Sequence, residues 1–169
     1  MQYFVTERRA NCDRMEKVAD IDALNENDAP FVEDYLLYLL AASSHALSRE
    51  FHALVKKKGM KVNEWRVLAC LNDRPGLMLT ELAELVLFEQ SHLTKIIDRM
   101  SAQGLVERAK TVDDRRKVLI QITAKGKELV EPLIIAAKQH EERAVREIDR
   151  RDMADLKRIL KQLIRCNRQ

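Results

Sequence analysis

The chain is short of the residues that break or staple a polypeptide: its 169 residues include four Gly, three Pro, three Cys and 5% aromatics. So little Gly and Pro excludes a collagen-like fibre, and 46% hydrophobic content excludes a disordered tail. One compact helix-rich domain or two small lobes is expected. Cys12, Cys70 and Cys166 are odd in number and lack metal-type spacing, which suggests neither a disulfide framework nor a structural zinc site. No run approaches the roughly 18 consecutive apolar residues of a membrane span. The start MQYFVTERRA has no secretory apolar stretch, so a cytoplasmic location is expected. GxSxG, P-loop, dinucleotide-binding and HExxH signatures are all missing, and neither an enzyme nor a cofactor is expected. His45, His52, His92 and His140 form no close cluster in sequence, although His45 and His52 share a helical face; no metal site is expected.

Charge is unevenly spread. Residues 1–34 hold four basic and nine acidic side chains, a balance of −5 within a total of +3, so the rest of the chain carries +8. A basic body favours a polyanionic partner, because each neutralised phosphate releases condensed counterions, although such charge is commonly a solvated face.

Residues 1–30 read as an acidic N-terminal extension, in which Met15, Val18, Ile21 and Leu24 can line a short helix. From Phe31 to Lys58 neither Gly nor Pro occurs, and Leu36, Leu39, Leu40, Leu47, Phe51 and Leu54 recur at helical spacing, predicting one long helix that ends at Gly59. A second helix over 62–72 closes at Pro75-Gly76. Two short helices follow, over 80–87 with Thr80 as N-cap and over 90–103 ending at Gly104. The period then changes to two, and Leu105, Val106, Val118, Ile120 and Ile122 predict a β-hairpin with a charged tip. Thr123 is expected to cap a helix reaching about Ile148, with a kink at Pro132, and Asp152 to precede a last amphipathic helix carrying Met153, Leu156, Ile159, Leu160 and Leu163.

Two short helices followed by a basic-tipped hairpin form a winged helix-turn-helix, in which one helix enters the major groove and the hairpin reaches an adjacent minor groove. The fold class is therefore mainly α with a small β-hairpin wing, to which the family resemblance given below adds a helical dimerisation region. In the helix over 90–103, Leu93, Ile96, Ile97 and Met100 form an inward stripe, while Gln90, Ser91, His92, Thr94, Lys95 and Arg99 face outward. Short polar side chains near the helix start can reach base edges, and Lys95 and Arg99 can hold phosphates. Arg115, Arg116 and Lys117 at the hairpin tip suit a narrow minor groove, beside the carboxylates Asp113 and Asp114. The bland alternative is a charged turn on an ordinary α+β domain.

The stretch from Leu79 to Leu129 resembles the winged-helix core of the MarR family of bacterial transcriptional regulators, with LTELAELV, SHLTKIIDRM, GLVER and DDRRKVLIQIT followed by KG. The likeness spans roughly residues 31–166. It implies a single domain over 31–169, with a winged lobe at about 61–123 and dimerisation helices at about 31–58 and 124–166. It further implies a homodimer on a pseudo-palindromic double-stranded DNA operator of about 16 to 20 base pairs, from half-sites about one helical turn apart. Carried over by position, Ser91, His92, Thr94 and Lys95 match the major-groove positions, Arg115 and Arg116 the wing-tip arginines, and Asp114 the acidic residue that braces the wing. The resemblance also implies a repressor released by a small aromatic effector, often a carboxylate. Tyr38, Ser44, His45, Arg49, Trp65 and Arg66 are the candidate pocket residues, with His45 and Arg49 one helical turn apart and Trp65 able to stack on a ring. The bland reading makes Trp65 a core residue. A thiol-based redox sensor is the alternative, although Leu37 stands about where relatives carry a reactive Cys; a non-catalytic winged-helix module for protein interaction is another.

Overall fold

The computed structural model describes residues 31–110 and 118–167. The elements run α1 (Phe31–Asp34), α2 (Leu36–Lys57), α3 (Val62–Asp73), β1 (Leu77–Met78), α4 (Leu79–Val86), α5 (Gln90–Ala102), β2 (Val106–Lys110), β3 (Val118–Ile122), α6 (Ala124–Ala144) and α7 (Arg150–Cys166). The helix-dominated order with a small antiparallel sheet is the expected fold class. Among the described residues no helix is long and apolar enough to cross a membrane.

Two compact units divide the chain: a winged unit from His45 to Ala144, and a terminal unit made of the segments before and after it. The winged unit is wider than the 61–123 span, because Phe51 and Val55 of α2 and Val130 and Leu133 of α6 are buried in the same core as Leu68, Leu82, Leu93 and Ile97. Burying a Leu or Ile side chain is worth about 1.5–3 kcal/mol, so these flanking helices contribute materially to the unit.

The backbone of the winged unit is closed by local chemistry. α5 ends in a Schellman arrangement, with Leu105 N–H donating to Met100 C=O at 2.9 Å and Gly104 N–H to Ser101 C=O at 2.9 Å. Gly104 supplies the φ of +70° that this turn requires. Thr123 N–H then donates to Leu105 C=O at 3.1 Å and its hydroxyl to Gly104 C=O at 2.7 Å, while the same Oγ1 accepts from Gly126 N–H at 3.1 Å, capping α6 and tying its start to the end of α5. A Cβ at Gly126 would lie 2.3 Å from the Leu105 carbonyl oxygen, so the Lys125-Gly126 pair allows α6 to pass this close.

Several sequence expectations are corrected. The first helix is interrupted at Tyr35. A third strand, β1, pairs antiparallel with β3 (Leu77↔Ile120, Met78↔Leu119), giving the sheet order β1-β3-β2. Two residues are too few for alternation to be legible. Because β1 runs directly into α4, the N-cap is Met78 rather than Thr80; its N–H donates to Glu81 Oε2 at 2.8 Å. α6, which contains Pro132, stops at Ala144, four residues before the expected end. The last helix is capped by Asp149, whose Oδ1 accepts from Arg151 N–H at 2.7 Å; Asp152 lies inside the first turn, where its charge complements the helix dipole.

The terminal unit contains no buried residue among those described. Phe31, Leu36, Leu37 and Tyr38 on one segment, and Leu156, Ile159 and Ile164 on the other, are exposed. The N-terminal extension lies outside the described residues.

Candidate nucleic-acid interface

α4 and α5 meet at a tight turn. Leu87 adopts the left-handed conformation at φ 59°, and Phe88 N–H donates to Ala83 C=O at 3.0 Å. A non-Gly residue in that region costs roughly 1–2 kcal/mol. Leu87 is also 83% exposed, so its side chain buries little in return.

As expected, Leu93, Ile96, Ile97 and Met100 are buried and hold α5 on the core. Gln90, Ser91, His92 and Lys95 are exposed. Thr94 is half-buried, and its hydroxyl donates to Gln90 C=O at 2.8 Å. His92 stands edge-on to Phe88, with ring centroids 5.4 Å apart, and its Nε2 lies 3.4 Å from Asn63 Nδ2. Lys95 has no ion-pair partner among the described residues.

Arg99 differs from its sequence reading. Its Nε donates to Glu64 Oε1 at 2.9 Å, and Glu64 is only 5% exposed. The other carboxylate oxygen accepts from Lys61 N–H at 3.2 Å, so one buried acid closes the first turn of α3 and holds α5 against it. A phosphate contact from Arg99 is restricted to the guanidinium edge that remains exposed. A second tie is made by Arg108 of β2, whose Nη2 meets Asp98 Oδ1 at 2.7 Å and fastens the base of the hairpin to α5. Neither tie was legible in sequence: Glu64 and Arg99 are 35 positions apart, and Asp98 and Arg108 look like ordinary surface charges.

The wing-tip residues Asp114, Arg115, Arg116 and Lys117 lie outside the described residues. The strands that carry them are paired up to Lys110↔Val118.

Of the candidate pocket residues, Tyr38 and Ser44 belong to the terminal unit and are exposed. In the winged unit His45 and Arg49 are exposed on α2. Trp65 is half-buried, packed on the core with its ring edge-on to Phe51 at 5.1 Å between centroids, as the core reading anticipates. Arg66 is exposed, its guanidinium carbon 5.9 Å from the centre of the Phe88 ring. Cys70 is half-buried; burial, then the charge of Asp73, push its thiol pKa up, while Arg74 opposes them.

Comparison with known proteins agrees with this geometry. The MarR family profile matches residues 60–118. The organic hydroperoxide resistance transcriptional regulator of Bacillus subtilis is 29% identical over 110 residues, 65% of this chain and 75% of its own. The homoprotocatechuate degradative operon repressor of Escherichia coli is 31% identical over 98 residues, 58% of this chain and 66% of its own. A crystal structure of a MarR family transcriptional regulator from Silicibacter pomeroyi superposes with a TM-score of 0.72 at 44% identity, covering 80% of this chain and 97% of that one. Identity at that level across nearly the whole length of the relative goes beyond a shared fold, and the chain belongs to the MarR family of transcriptional regulators.

Proposed function

We propose that the protein is a homodimeric, sequence-specific DNA-binding regulator that represses from a pseudo-palindromic operator and is released by a small aromatic effector, a carboxylate or a related phenolic. The observation that carries this reading is α5: a helix fixed to the core by four buried side chains, with Gln90, Ser91, His92 and Lys95 exposed at its start and a hairpin base fastened beside it through Asp98 and Arg108. Exposed short polar groups at a helix start suit base edges in the major groove, and the pairing of half-sites follows from a twofold dimer. The exposed apolar side chains of the terminal unit supply the surface such a dimer would cover.

Repression and release rest on linkage. An effector that binds more tightly to a conformation with misspaced α5 helices lowers operator affinity by the same factor. The E. coli relative is by name the repressor of an operon degrading homoprotocatechuate, an aromatic carboxylate, which supports this effector class. The hydroperoxide relative raises thiol sensing, but burial pushes the Cys70 thiol pKa up, which works against a reactive thiolate at that position.

Footprinting on the protein's own upstream region, repeated with a panel of aromatic acids and their thioesters, tests the reading. Arg116→Ala is expected to weaken operator binding by about 1–3 kcal/mol while sedimentation still shows the dimer. Operator affinity unchanged by this substitution would remove the wing from the mechanism.

A further inference from the structure

Among the described residues, His92 differs from its exposed neighbours at the start of α5 in that its ring is held from outside that helix. Its Nε2 lies 3.4 Å from Asn63 Nδ2 on α3. Phe88, half-buried against the core, stands edge-on to the ring, with centroids 5.4 Å apart and the planes at 83°. Arg66 in turn places its guanidinium carbon 5.9 Å from the centre of the Phe88 ring. Gln90, Ser91 and Lys95 make no side-chain hydrogen bond among the described residues, and the Thr94 hydroxyl is engaged by Gln90 C=O.

The contact with Asn63 fixes a protonation pattern. A neutral imidazole carries one donor and one acceptor nitrogen, and an amide nitrogen only donates. With Asn63 Nδ2 facing it, Nε2 is the acceptor, so the proton sits on Nδ1. No second hydrogen bond to His92 occurs among the described residues, which leaves that N–H unengaged. The first turn of α3 is held in place for this contact, because the residue after Asn63 is the buried Glu64, bonded to Arg99 Nε at 2.9 Å. Arg99 follows His92 by seven positions, two helical turns along one face, so adjacent residues of α3 hold that face of α5 near both ends. A long, exposed hydrogen bond such as that from Asn63 contributes little to stability. Its consequence is the choice of group that His92 presents.

We infer that Asn63 is a specificity-determining positioning residue, which holds His92 in its Nδ1–H form so that α5 offers a donor to N7 of a guanine. This rests on the DNA-binding reading above and gives one position of each half-site a chemistry. In the major groove guanine sets O6, a second acceptor, beside N7, whereas adenine sets an amino donor there and cytosine presents only an amino donor. A ring oriented before binding loses little conformational freedom when it docks, which favours the matched edge.

The test compares the full-length protein with its Asn63→Ala, Asn63→Asp and His92→Ala variants. Selection from duplexes randomised across the half-site gives the preferred sequence, and fluorescence anisotropy on that sequence and its single-base changes gives the ratios. His92→Ala is expected to lose a guanine preference of about 3- to 10-fold at one position. Asn63→Ala loses it at the same position, the double variant loses no more, and the melting temperatures match the parent. 7-Deazaguanine at that position weakens the parent by a similar factor and leaves both alanine variants unchanged. Asn63→Asp turns the partner into an acceptor, which moves the proton to Nε2, and the preference is expected to shift toward a base with an amino donor; the added charge lowers every affinity, so the ratio is what is read. An acid is favoured in the first turn of a helix, so this variant keeps the test open should Asn63→Ala fail to fold. The tautomer is read without DNA from long-range proton–nitrogen correlation spectra at the alkaline limit of the His92 titration, with Nδ1–H expected in the parent and a shift toward Nε2–H in both Asn63 variants. A parent ring carrying its proton on Nε2 overturns the inference. So does a guanine preference that survives Asn63→Ala, or a His92→Ala variant that reads the half-site as the parent does. A parent that binds neither selected nor random duplexes defeats the DNA-binding reading and the inference with it, even where the spectra show Nδ1–H, and this separates the two failures.

Discussion

The winged unit and the terminal unit are built from the same kinds of residue and use them differently. Every buried hydrophobic side chain among those described falls between Phe51 and Leu133, inside the winged unit, while the terminal unit buries none and leaves Phe31, Leu37, Leu156, Ile159 and Ile164 exposed. Both contain amphipathic helices. In the winged unit the apolar stripes of α3, α4 and α5 meet one another and the sheet, and α4 and α5 are too short to hold together otherwise. In the terminal unit the stripe of α7 is equally regular but unburied, a pattern that in a folded protein marks a surface awaiting cover. One unit is stabilised from within, and the other leaves its apolar side chains exposed among the described residues.

The sharpest way to break this contrast is to charge the uncovered stripe. Leu156→Glu with Ile159→Glu removes two apolar side chains per protomer and inserts carboxylates, and is expected to weaken dimerisation by roughly 5 kcal/mol or more. Sedimentation equilibrium should then find monomer at micromolar concentration, while the winged unit keeps its helical signal. A variant that stays dimeric would show that the stripe is not the interface.

The complementary change acts inside the winged unit. Leu93→Ala leaves a cavity under α5 and is expected to cost about 2–5 kcal/mol in chemical denaturation, with no change in the dimer dissociation constant where the protein remains folded. Equal losses from substitutions at Leu93 and Leu156 would erase the distinction between the units.

The polar tie within the winged unit ranks next. Glu64→Gln removes the charge that faces Arg99 and is expected to destabilise by about 1–3 kcal/mol, at the lower end because the Arg99 side chain is 40% exposed. Because Glu64 sets the position of α5, operator discrimination should drop alongside stability; Glu64→Asp, which keeps the charge, should recover part of it. Loss of stability with discrimination intact would make the pair purely structural. The smallest effect belongs to the α4–α5 turn. Leu87→Gly relieves the left-handed backbone, and after Gly's greater unfolded entropy is subtracted it is expected to stabilise by roughly 0.5 kcal/mol, read as a small rise in melting temperature.

How much was legible in the chain varies with the range of the interaction. The inward stripe of α5, the Gly104 stop and the Thr123 cap were all readable, because helical period and capping act over a few residues. The strand β1 was not, since a two-residue strand is defined by its partner Ile120 and not by its own pattern. Asp149 was passed over as the cap of α7 because Asp149 and Asp152 are chemically alike there, and only the path of the chain chooses between them. Arg99 read as a free phosphate ligand because helical phase placed it outward, and nothing local announced the carboxylate waiting on α3.

By itself the sequence determined the order of elements, the residues that face the core and the polar start of α5, all consequences of periodicities and caps a few residues long. Tertiary structure decided which charges remain available. Glu64 engages Arg99 and Asp98 engages Arg108, while Lys95 on the same helix has no ion-pair partner among the described residues. Pairing of charges depends on distances across the fold, and those exist only once the elements have packed.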